Sequence, residues 1–322
     1  MTPRPESPAG LARTSRTLRA VVQLPAMPGE HEAARTYPPI ALERARLDGE
    51  RLVFDRPAGF DQALEQGFFL LRVPNAVDTA PGDLFAAHFH EPAAGDARDI
   101  YRGYRDIPVP GDYQGYFDRE HDQWENFYIE TSNFALLPDS VARLGRELSR
   151  LGIHVLRAVL DHVGIPRREW AKVTGGLSEH QGHQMLAFNH FRPDRPVRGS
   201  KFHRDSGWVT VLRSTEPGLL ALIDGDLHAI NPEPGYFVVN FGSSFEVLTE
   251  RLPHPVRANV HGVARTERQP GQPHRTSYVI FLDSDLAGTI YRYQDGEPQA
   301  VQSVADFAVQ EVSRTYDDNS EL

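Results

Sequence analysis

Cysteine is absent from this chain of 322 residues. Its absence excludes disulfide bonds, zinc sites built on thiolates, cysteine-ligated iron–sulfur clusters and cysteine nucleophiles. No apolar run approaches the roughly 20 residues that a membrane-spanning helix requires, and the N-terminus lacks the apolar stretch of a secretory signal. The sequence therefore predicts a soluble, cytoplasmic protein that has no membrane partner.

Basic residues are also scarce, since 34 Lys and Arg face 44 Asp and Glu and give a formal net charge of −10. Only Lys172 and Lys201 are lysines, which limits Schiff-base chemistry to two positions. An acidic surface without a basic stripe repels phosphate backbones, so the sequence predicts no nucleic-acid partner. It leaves the oligomeric state open.

The pattern along the chain divides it into four regions. Residues 1–48 are rich in Pro, Arg, Ser and Ala and are predicted to be a flexible leader, in which 20–24 could add an edge strand. Residues 49–178 form a region of helices and strands, 179–286 a strand-rich core, and 287–322 a tail that could fold over the site as a lid. Within the second region, apolar residues at three- and four-residue steps predict a long helix over 138–163.

Short apolar and β-branched runs, separated by Gly, Pro and Asp, predict strands in the second half of the chain. They lie at 184–191, 209–212, 219–223, 236–240, 257–263 and 276–282, and a last helix is predicted over 306–316. Helices followed by many short strands indicate a mixed α+β protein with a double-sheet β core buttressed by helices.

The triplet His203-Arg204-Asp205 is the first candidate for chemistry. Side chains alternate in an extended chain, so His203 and Asp205 point to the same face and could hold one metal ion. Non-haem iron(II) oxygenases use two histidines and one carboxylate on one face of the ion, which leaves the opposite positions for substrate and oxygen.

The second histidine has to come from another part of the fold. His261, inside the predicted strand 257–263, is the preferred candidate, while His228, His254 and His274 are alternatives. His228 follows a predicted tight turn and should face solvent, and His254 lies between two prolines, which is typical of a loop.

A second candidate site is Arg275-Thr276-Ser277, at the start of an apolar strand. Alternation places Arg275 and Ser277 on one face. An arginine that points into a β core needs an anion, so this pair could hold the carboxylate of a dicarboxylic acid. The alternative is a structural salt bridge to Asp or Glu of a neighbouring strand.

These residues carry a resemblance to a known family. Residues 202–210, FHRDSGWVT, resemble the H-x-D-x-G-x-[LV]-T motif of isopenicillin N synthase-like, 2-oxoglutarate/Fe(II)-dependent dioxygenases. Further motifs of the family occur in the same order: G-F-F at 67–69, W-x-x-F at 124–127, P-x-P-G-x-F-V-V-N-x-G at 232–242, the counterpart of H-R-V at 261–263 and R-x-S at 275–277. The resemblance covers roughly residues 50–285.

The resemblance implies a distorted double-stranded β-helix, or jelly roll, with flanking helices. Its implied metal ligands are His203, Asp205 and His261, and its implied 2-oxoglutarate ligands are Arg275 and Ser277. The implied activity consumes O₂ and 2-oxoglutarate and hydroxylates, desaturates or cyclises a small molecule. The R-T-S triplet and the strand after it are similar to the bacterial cephalosporin-forming branch, which suggests an amino-acid- or peptide-derived substrate in secondary metabolism, such as antibiotic biosynthesis.

One departure from the family concerns the cosubstrate. Many members have N-Y-Y before a proline, whereas this chain has Asn189-His190-Phe191, so a tyrosine hydroxyl is missing and Asn189 alone is predicted to reach 2-oxoglutarate. Three alternatives stay open: an iron oxidase that does not use 2-oxoglutarate, a non-catalytic jelly-roll module that binds a metal or a small acid, and a zinc hydrolase, which Arg275 disfavours. Other side chains predicted to contact a substrate or line its cavity are Lys201, Arg213, Tyr104, Tyr116 and Phe127.

Overall fold

The computed structural model describes residues 36–268 and 271–315. In chain order its strands are β1 (Arg44–Asp48), β2 (Arg51–Phe54), β3 (Phe68–Arg72), β4 (Gly115–Asp118), β5 (Trp124–Glu130), β6 (His183–Phe191), β7 (Ser200–His203), β8 (Val209–Ser214), β9 (Leu219–Ile223), β10 (Asp226–Ile230), β11 (Tyr236–Phe241), β12 (His261–Val263), β13 (Thr276–Asp283), β14 (Thr289–Gln294) and β15 (Glu297–Ser303). Its α-helices are α1 (Gly59–Gln66), α2 (Ala80–His88), α3 (Asp139–His162), α4 (Arg167–Val173), α5 (Ser243–Thr249) and α6 (Val304–Thr315).

The strands form two main sheets. The larger has nine strands in the order β2-β1-β3-β11-β8-β13-β6-β5-β4, and the smaller has four in the order β10-β9-β12-β7. Phe68 and Val238 of the larger sheet share an apolar cluster with Leu219 and Ile223 of the smaller one. Because this cluster joins the two inner faces, the core is a double-sheet β structure, as the strand pattern predicts.

Helix α3 covers the outer face of the larger sheet and agrees with the prediction of a helix over 138–163. Its apolar stripe, which includes Leu148 and Val155, is fully buried in the main core. Gly152 lets the helix approach the sheet closely, because a Cβ there would lie 2.3 Å from Cδ1 of Leu282. Because the apolar stripe of α3 covers this face of the larger sheet, only the opposite face is left for a functional site.

Most predicted strands occur where the sequence places them, as β6, β8, β9, β11 and β13. The exception is 257–263, of which only His261–Val263 is a strand. Val256, Ala258 and Val260 are buried, so their side chains fill the core, and of their backbone groups the carbonyl of Val260 accepts from the N–H of Leu222 on β9. The predicted strand therefore reflects burial rather than pairing over its first half.

The structure describes parts of the predicted leader and of the predicted tail. Ordered structure within the predicted leader 1–48 includes β1, which begins at Arg44, whereas 1–35, with the possible strand 20–24, lie outside the described residues. In the tail, β14 and β15 form a hairpin that precedes α6, whose residues up to 315 are described. Within the described ranges, every helix is too short or too polar to cross a membrane.

Candidate metal centre and its surroundings

His203 and His261 lie on neighbouring strands of the smaller sheet. Strand β12 pairs with β7 in a register that sets His261 directly opposite His203, so both imidazoles project from the same face. Strand β7 ends at His203, and Asp205 follows two residues later in a non-strand segment. The structure therefore brings together the three side chains that the sequence proposes as metal ligands.

The three side chains converge on one point. Asp205 Oδ1 lies 3.6 Å from His203 Nε2 and 3.7 Å from His261 Nε2. The centroids of the two imidazole rings are 4.6 Å apart. One donor atom from each residue lies within 4.8 Å of the other two, so a single ion can contact all three.

Each imidazole has its tautomer fixed by a backbone carbonyl. The Nδ1 atom of His203 lies 2.9 Å from the carbonyl oxygen of Lys201, and Nδ1 of His261 lies 3.1 Å from that of Asn259. A carbonyl only accepts, so Nδ1–H donates in both rings and Nε2 keeps its lone pair for a metal. Burial, reinforced by the charge of His261, lowers the pKa of His203 to about 4.

The two oxygens of the Asp205 carboxylate have different surroundings. Thr210 Oγ1 donates to Asp205 Oδ2 over 2.6 Å, and Asn240 Nδ2 donates to the same oxygen over 2.7 Å. Burial alone would raise the pKa of Asp205, but the two histidines and these hydrogen bonds outweigh it and lower that pKa. Oδ2 is therefore occupied, and Oδ1 is the oxygen turned to the histidines.

The backbone around Asp205 is packed too tightly for side chains. A Cβ on Gly242 would lie 2.2 Å from the carbonyl oxygen of Gly207, and the N–H of Ser243 donates to the carbonyl of Asp205 over 2.7 Å. These contacts hold the segment after His203 against the end of β11. The glycines of the 202–210 and 232–242 motifs therefore have a steric role in positioning Asp205.

The alternative histidines do not join this group. His228 lies on β10, which pairs with β9 along its length, and it is partly buried, so the prediction that it faces solvent is wrong. His254 is exposed and lies 3.6 Å from Asp61. His274 contacts His190, with 2.7 Å between their ring nitrogens.

A second group of metal-ligating side chains, His90, Glu125 and His190, was not predicted from the sequence. Glu125 on β5 is paired with His190 on β6, and the next pair along these strands is Asn126 with Asn189, which faces inward. Because successive side chains of a strand point to opposite faces, Glu125 and His190 lie on the other face of the sheet. Glu125 Oε1 lies 2.7 Å from His190 Nδ1, and Oε2 accepts from Arg105 over 2.7 Å.

The imidazole of His90 stacks on that of His190, with 3.7 Å between the ring centroids. Burial would raise the pKa of Glu125, but hydrogen bonds from His190 and Tyr116 and the charge of Arg105 lower it to about 2. Both carboxylate oxygens are thus engaged by protein groups, and the group is a closed polar network rather than an open metal site.

Arg275 lies in the interior with an unsatisfied guanidinium. It is 1% exposed, its Nε donates to the carbonyl of Pro217 over 3.0 Å, and its Nη1 is buried without a hydrogen-bond partner. Its Cζ lies 4.4 Å from the ring centroid of Phe191, which occupies the position of the missing tyrosine. Burial lowers the pKa of Arg275 to about 10. No carboxylate among the described residues forms an ion pair with it, so the structural salt bridge considered above is not present there.

A chain of hydrogen bonds runs along one row of the larger sheet. Arg119 Nε donates to Asn126 Oδ1 over 3.3 Å, and Asn126 Nδ2 donates to Asn189 Oδ1 over 2.6 Å. Asn189 Nδ2 then donates to Ser277 Oγ over 3.2 Å. Since Ser277 Oγ accepts here, its own proton is available to a further acceptor.

A cavity of about 380 Å³ borders His203 and Asp205. Strands β4, β5 and β13 contribute walls, and α6 from the predicted tail 287–322 contributes another. Its aromatic lining consists of Tyr113, Phe117, Trp124, Tyr128, Phe281 and Phe307.

The side chains predicted to line the cavity are mostly elsewhere. Tyr104 and Phe127 belong to the main core under the helices, and Tyr116 donates to Glu125 on the outer face. Arg213 is paired with Asp83 over 2.8 Å. Alternation along β5 could have separated Phe127 from Trp124 and Tyr128, but no pattern in the sequence indicates which set faces inward.

The comparison with family models matches residues 182–284 to the 2OG-Fe(II) oxygenase superfamily. Among curated proteins, the chain is 28% identical over 123 residues to Protein DOWNY MILDEW RESISTANCE 6 of Arabidopsis thaliana, covering 37% of this chain and 35% of that protein. It is 31% identical over 121 residues to 2'-deoxymugineic-acid 2'-dioxygenase of Hordeum vulgare, covering 36% of this chain and 34% of that protein. The aligned region thus spans about a third of the length of these relatives.

Two solved structures cover much more of the chain. The structure of JOX2 in complex with 2OG, Fe and JA has a TM-score of 0.64 at 18% identity and covers 90% of both chains. That of the dioxygenase for auxin oxidation in rice has a TM-score of 0.61 at 19% identity and covers 80% of this chain and 89% of the other. These likenesses confirm the predicted jelly-roll fold class with flanking helices, and the family match supports the predictions of Fe(II), 2-oxoglutarate and O₂.

Proposed function

We propose that this chain belongs to the 2OG-Fe(II) oxygenase superfamily and is an Fe(II)- and 2-oxoglutarate-dependent dioxygenase that oxidises a small organic molecule. One observation carries the proposal: two Nε2 atoms and one carboxylate oxygen converge beside a cavity, while the remaining donors and acceptors of those side chains are already engaged. This set matches the two-histidine, one-carboxylate ligation that leaves coordination positions free for other molecules.

His203, Asp205 and His261 would hold the iron through Nε2, Oδ1 and Nε2. The carbonyls of Lys201 and Asn259 orient the two rings, and Thr210 and Asn240 restrain the carboxylate. Loss of a group that orients a metal ligand typically costs about 10- to 100-fold in metal affinity. The protein therefore offers a preformed site rather than three independent side chains.

Arg275 and Ser277 would hold the distal carboxylate of 2-oxoglutarate. The buried Nη1 of Arg275 lacks an acceptor, and a carboxylate would satisfy it with a charge-assisted hydrogen bond. The proton of Ser277 is free for the same carboxylate, because Asn189 already donates to its oxygen. Asn189, predicted as a direct cosubstrate ligand, would thus also act through Ser277.

Iron(II) and 2-oxoglutarate, when bound, supply O₂ activation and two of the four electrons of O₂ reduction, with release of succinate and CO₂; the substrate supplies the other two. The apolar cavity beside His203 and Asp205 would bind that substrate and exclude water from it. Membership of the isopenicillin N synthase-like branch, an amino-acid- or peptide-derived substrate, a role in secondary metabolism and a cytoplasmic location stay predictions from the sequence.

The test is an assay of succinate formation with iron(II), ascorbate, O₂ and 2-oxoglutarate, together with an anaerobic titration that follows the visible absorption of the iron–2-oxoglutarate chelate. We expect succinate and the absorption band with the wild type and neither with Asp205→Ala. His228→Ala is the matched control, because His228 pairs in the same row of the smaller sheet as Ala221 and His261 but lies outside the ligand group.

Each alternative has its own outcome. O₂ consumption that does not need 2-oxoglutarate would indicate an iron oxidase, and metal binding without O₂ consumption would indicate a binding module. Succinate formation by Asp205→Ala at the wild-type rate would refute the proposed ligands.

A further inference from the structure

The cavity beside the metal centre contains a carboxylate that has no cation of its own. Asp283 lines the cavity at the end of β13, and its Oδ1 accepts from Ser206 Oγ over 3.2 Å. Among the residues that the structure describes, none donates to its Oδ2 and none forms an ion pair with it. His183, its partner in the register of β6 and β13, contacts Glu130 through Nδ1 over 3.0 Å. Because a carboxylate in largely apolar surroundings is costly without a cation, Asp283 offers an acceptor to a positively charged ligand.

The metal centre does not use this carboxylate. The group that can hold the ion consists of His203, Asp205 and His261, and Asp283 is not part of it. Ser206, which donates to Asp283, directly follows Asp205 in the chain. A cation bound to Asp283 would therefore lie next to the metal centre without occupying it.

Arg119 also lines the cavity, but it lies toward the other end. It donates through Nε to Asn126, which is in register with Asn189 and Ser277 across β5, β6 and β13. Asp283 follows Ser277 by six residues on β13, which corresponds to about 20 Å along a strand that rises about 3.3 Å per residue. Arg119 therefore does not neutralise Asp283.

Two further charged side chains of the lining have partners as well. Arg204 lies 3.9 Å from Glu246. Glu311 is 5% exposed, and its Oε2 accepts from Ser243 Oγ over 3.2 Å. Neither Arg204 nor Glu311 forms a hydrogen bond or an ion pair with Asp283. The charge of Asp283 is thus left for a ligand.

Two aromatic rings lie near Asp283 on the inner face of the larger sheet. Phe281 precedes Asp283 by two residues on β13, and the next row of this face contains Val279 on β13 and Tyr128 on β5. Both rings line the cavity. The face of an aromatic ring attracts an ammonium group, and rings also pack well against apolar ligand atoms. The wall therefore combines an acceptor for a cation with a surface for the apolar part of the same molecule.

We propose that the substrate is a compact amine that is protonated at neutral pH, with its ammonium group on Asp283 and its apolar part along Phe281 and Tyr128. The cavity limits the size of this molecule, since its volume of about 380 Å³ is near the lower limit of ligand pockets, roughly 300–1,000 Å³. The inference rests on the proposed function for the identification of this ligand as the substrate, whereas the binding that it asserts does not depend on catalysis.

The experiment measures the binding of three probes to the whole chain by calorimetry at pH 8 without oxygen, both with and without iron(II) and 2-oxoglutarate. The probes share a phenyl ring and differ in charge: 2-phenylethylamine is a cation, 2-phenylethanol is neutral and 3-phenylpropanoate is an anion. We expect the amine to bind at least about tenfold more tightly than either other probe, because it alone donates a charge-assisted hydrogen bond to Asp283.

Variants of two aspartates test the assignment. Asp283→Asn keeps an oxygen that accepts from Ser206 but removes the charge, so it should bind the amine no more tightly than the alcohol. Asp283→Glu should keep part of the preference. Asp285→Asn is the matched control, because Asp285 lies two residues further along the chain, is exposed and does not line the cavity. It should bind all three probes like the wild type.

Equal binding of the amine and the alcohol by the wild type, or no binding of the amine, would overturn the proposal, as would an unchanged preference in Asp283→Asn. Asp205→Ala separates this proposal from the proposed function, because it should abolish succinate formation and still prefer the amine. A wild type that prefers the amine but forms no succinate would refute the oxygenase and leave the ligand class standing. Succinate formation without a preference for the amine would refute the ligand class alone.

Discussion

If Ser277 holds 2-oxoglutarate as proposed, the hydrogen bonds from Arg119 to Ser277 give Asn126 an indirect influence on the binding of 2-oxoglutarate. Asn126 is fully buried, accepts from Arg119 and donates to Asn189. In Asn126→Asp the shape is kept, but the side chain can only accept. The amide of Asn189 should then rotate so that its nitrogen faces position 126 and its oxygen faces Ser277.

That rotation changes what Ser277 offers to the cosubstrate. Its hydroxyl proton would go to Asn189 Oδ1 instead of the distal carboxylate of 2-oxoglutarate. A hydrogen bond to a charged group contributes about 1.5–3 kcal/mol, and part of it is regained by rotation of the hydroxyl, so we expect a loss of about 1–2 kcal/mol. This corresponds to a rise of about 5- to 30-fold in the dissociation constant of 2-oxoglutarate.

The assay is anaerobic titration of the iron(II)-loaded protein with 2-oxoglutarate, for the wild type, Asn126→Asp, Ser277→Ala and the double variant. If Asn126 acts through Ser277, the substitution at 126 should add nothing once the hydroxyl is gone, and the two effects should be non-additive. Gln123→Ala is the control for loss of a buried amide, since the side chain of Gln123 bonds to Thr266 and to the backbone of Arg195, outside the row of hydrogen bonds from Arg119 to Ser277. Fully additive effects, or an Asn126→Asp variant that binds 2-oxoglutarate like the wild type, would refute the reasoning.

Three further variants test other parts of the structure. Arg275→Gln should weaken 2-oxoglutarate binding by at least about tenfold, because it removes the buried guanidinium; titration with 2-oxoglutarate checks this, and unchanged affinity would contradict the assignment. Gly152→Ala should lower the free energy of unfolding by about 1–3 kcal/mol, since its Cβ would meet Leu282 at 2.3 Å, and a stability equal to the wild type in urea would show that α3 can move away. Burial raises the pKa of the Asp283 carboxyl in the folded protein to about 6. As the pH rises from the ordinary pKa of an aspartate through 6, the folded state therefore loses stability relative to the unfolded state, in which this carboxyl ionises more easily. Asp283→Asn should therefore raise the free energy of unfolding of the metal-free protein at pH 8 by about 1–3 kcal/mol and lose that advantage below pH 4; an equal gain at both pH values would count against a role for charge.

The sequence predicted those helices and strands whose apolar residues form one stripe or one short run. Helix α3 has one apolar stripe, and strands such as β9 and β13 are apolar runs bounded by turn residues, so their positions follow from spacing alone. Strand β7 was missed because Ser200–His203 is short and half polar, although it carries a proposed metal ligand. Its pairing with β12, which no local pattern encodes, makes it a strand.

The proposed ligands were accessible from the sequence because motifs fix them, whereas the cavity was not. Which residues of β5 face inward depends on the contacts of the whole sheet, so Phe127 was proposed for the cavity although Trp124 and Tyr128 line it. The wall supplied by α6 depends on how the last helix returns to the core. The group around Glu125 was missed for the same reason, since His90 reaches it from the turn after α2, which is distant in sequence.

The direct pairing of His261 with His203 has a consequence for how the chain reaches its native form. Strand β12 has three residues, and slippage by one position would send the imidazole of residue 261 to the other side of the sheet. An ion that is coordinated by both imidazoles can bind only a chain in which β7 and β12 are aligned correctly. Binding of the ion would therefore shift the equilibrium from misaligned chains toward the correct alignment. Iron supply during synthesis would then influence the yield of correctly assembled protein as well as its catalytic competence.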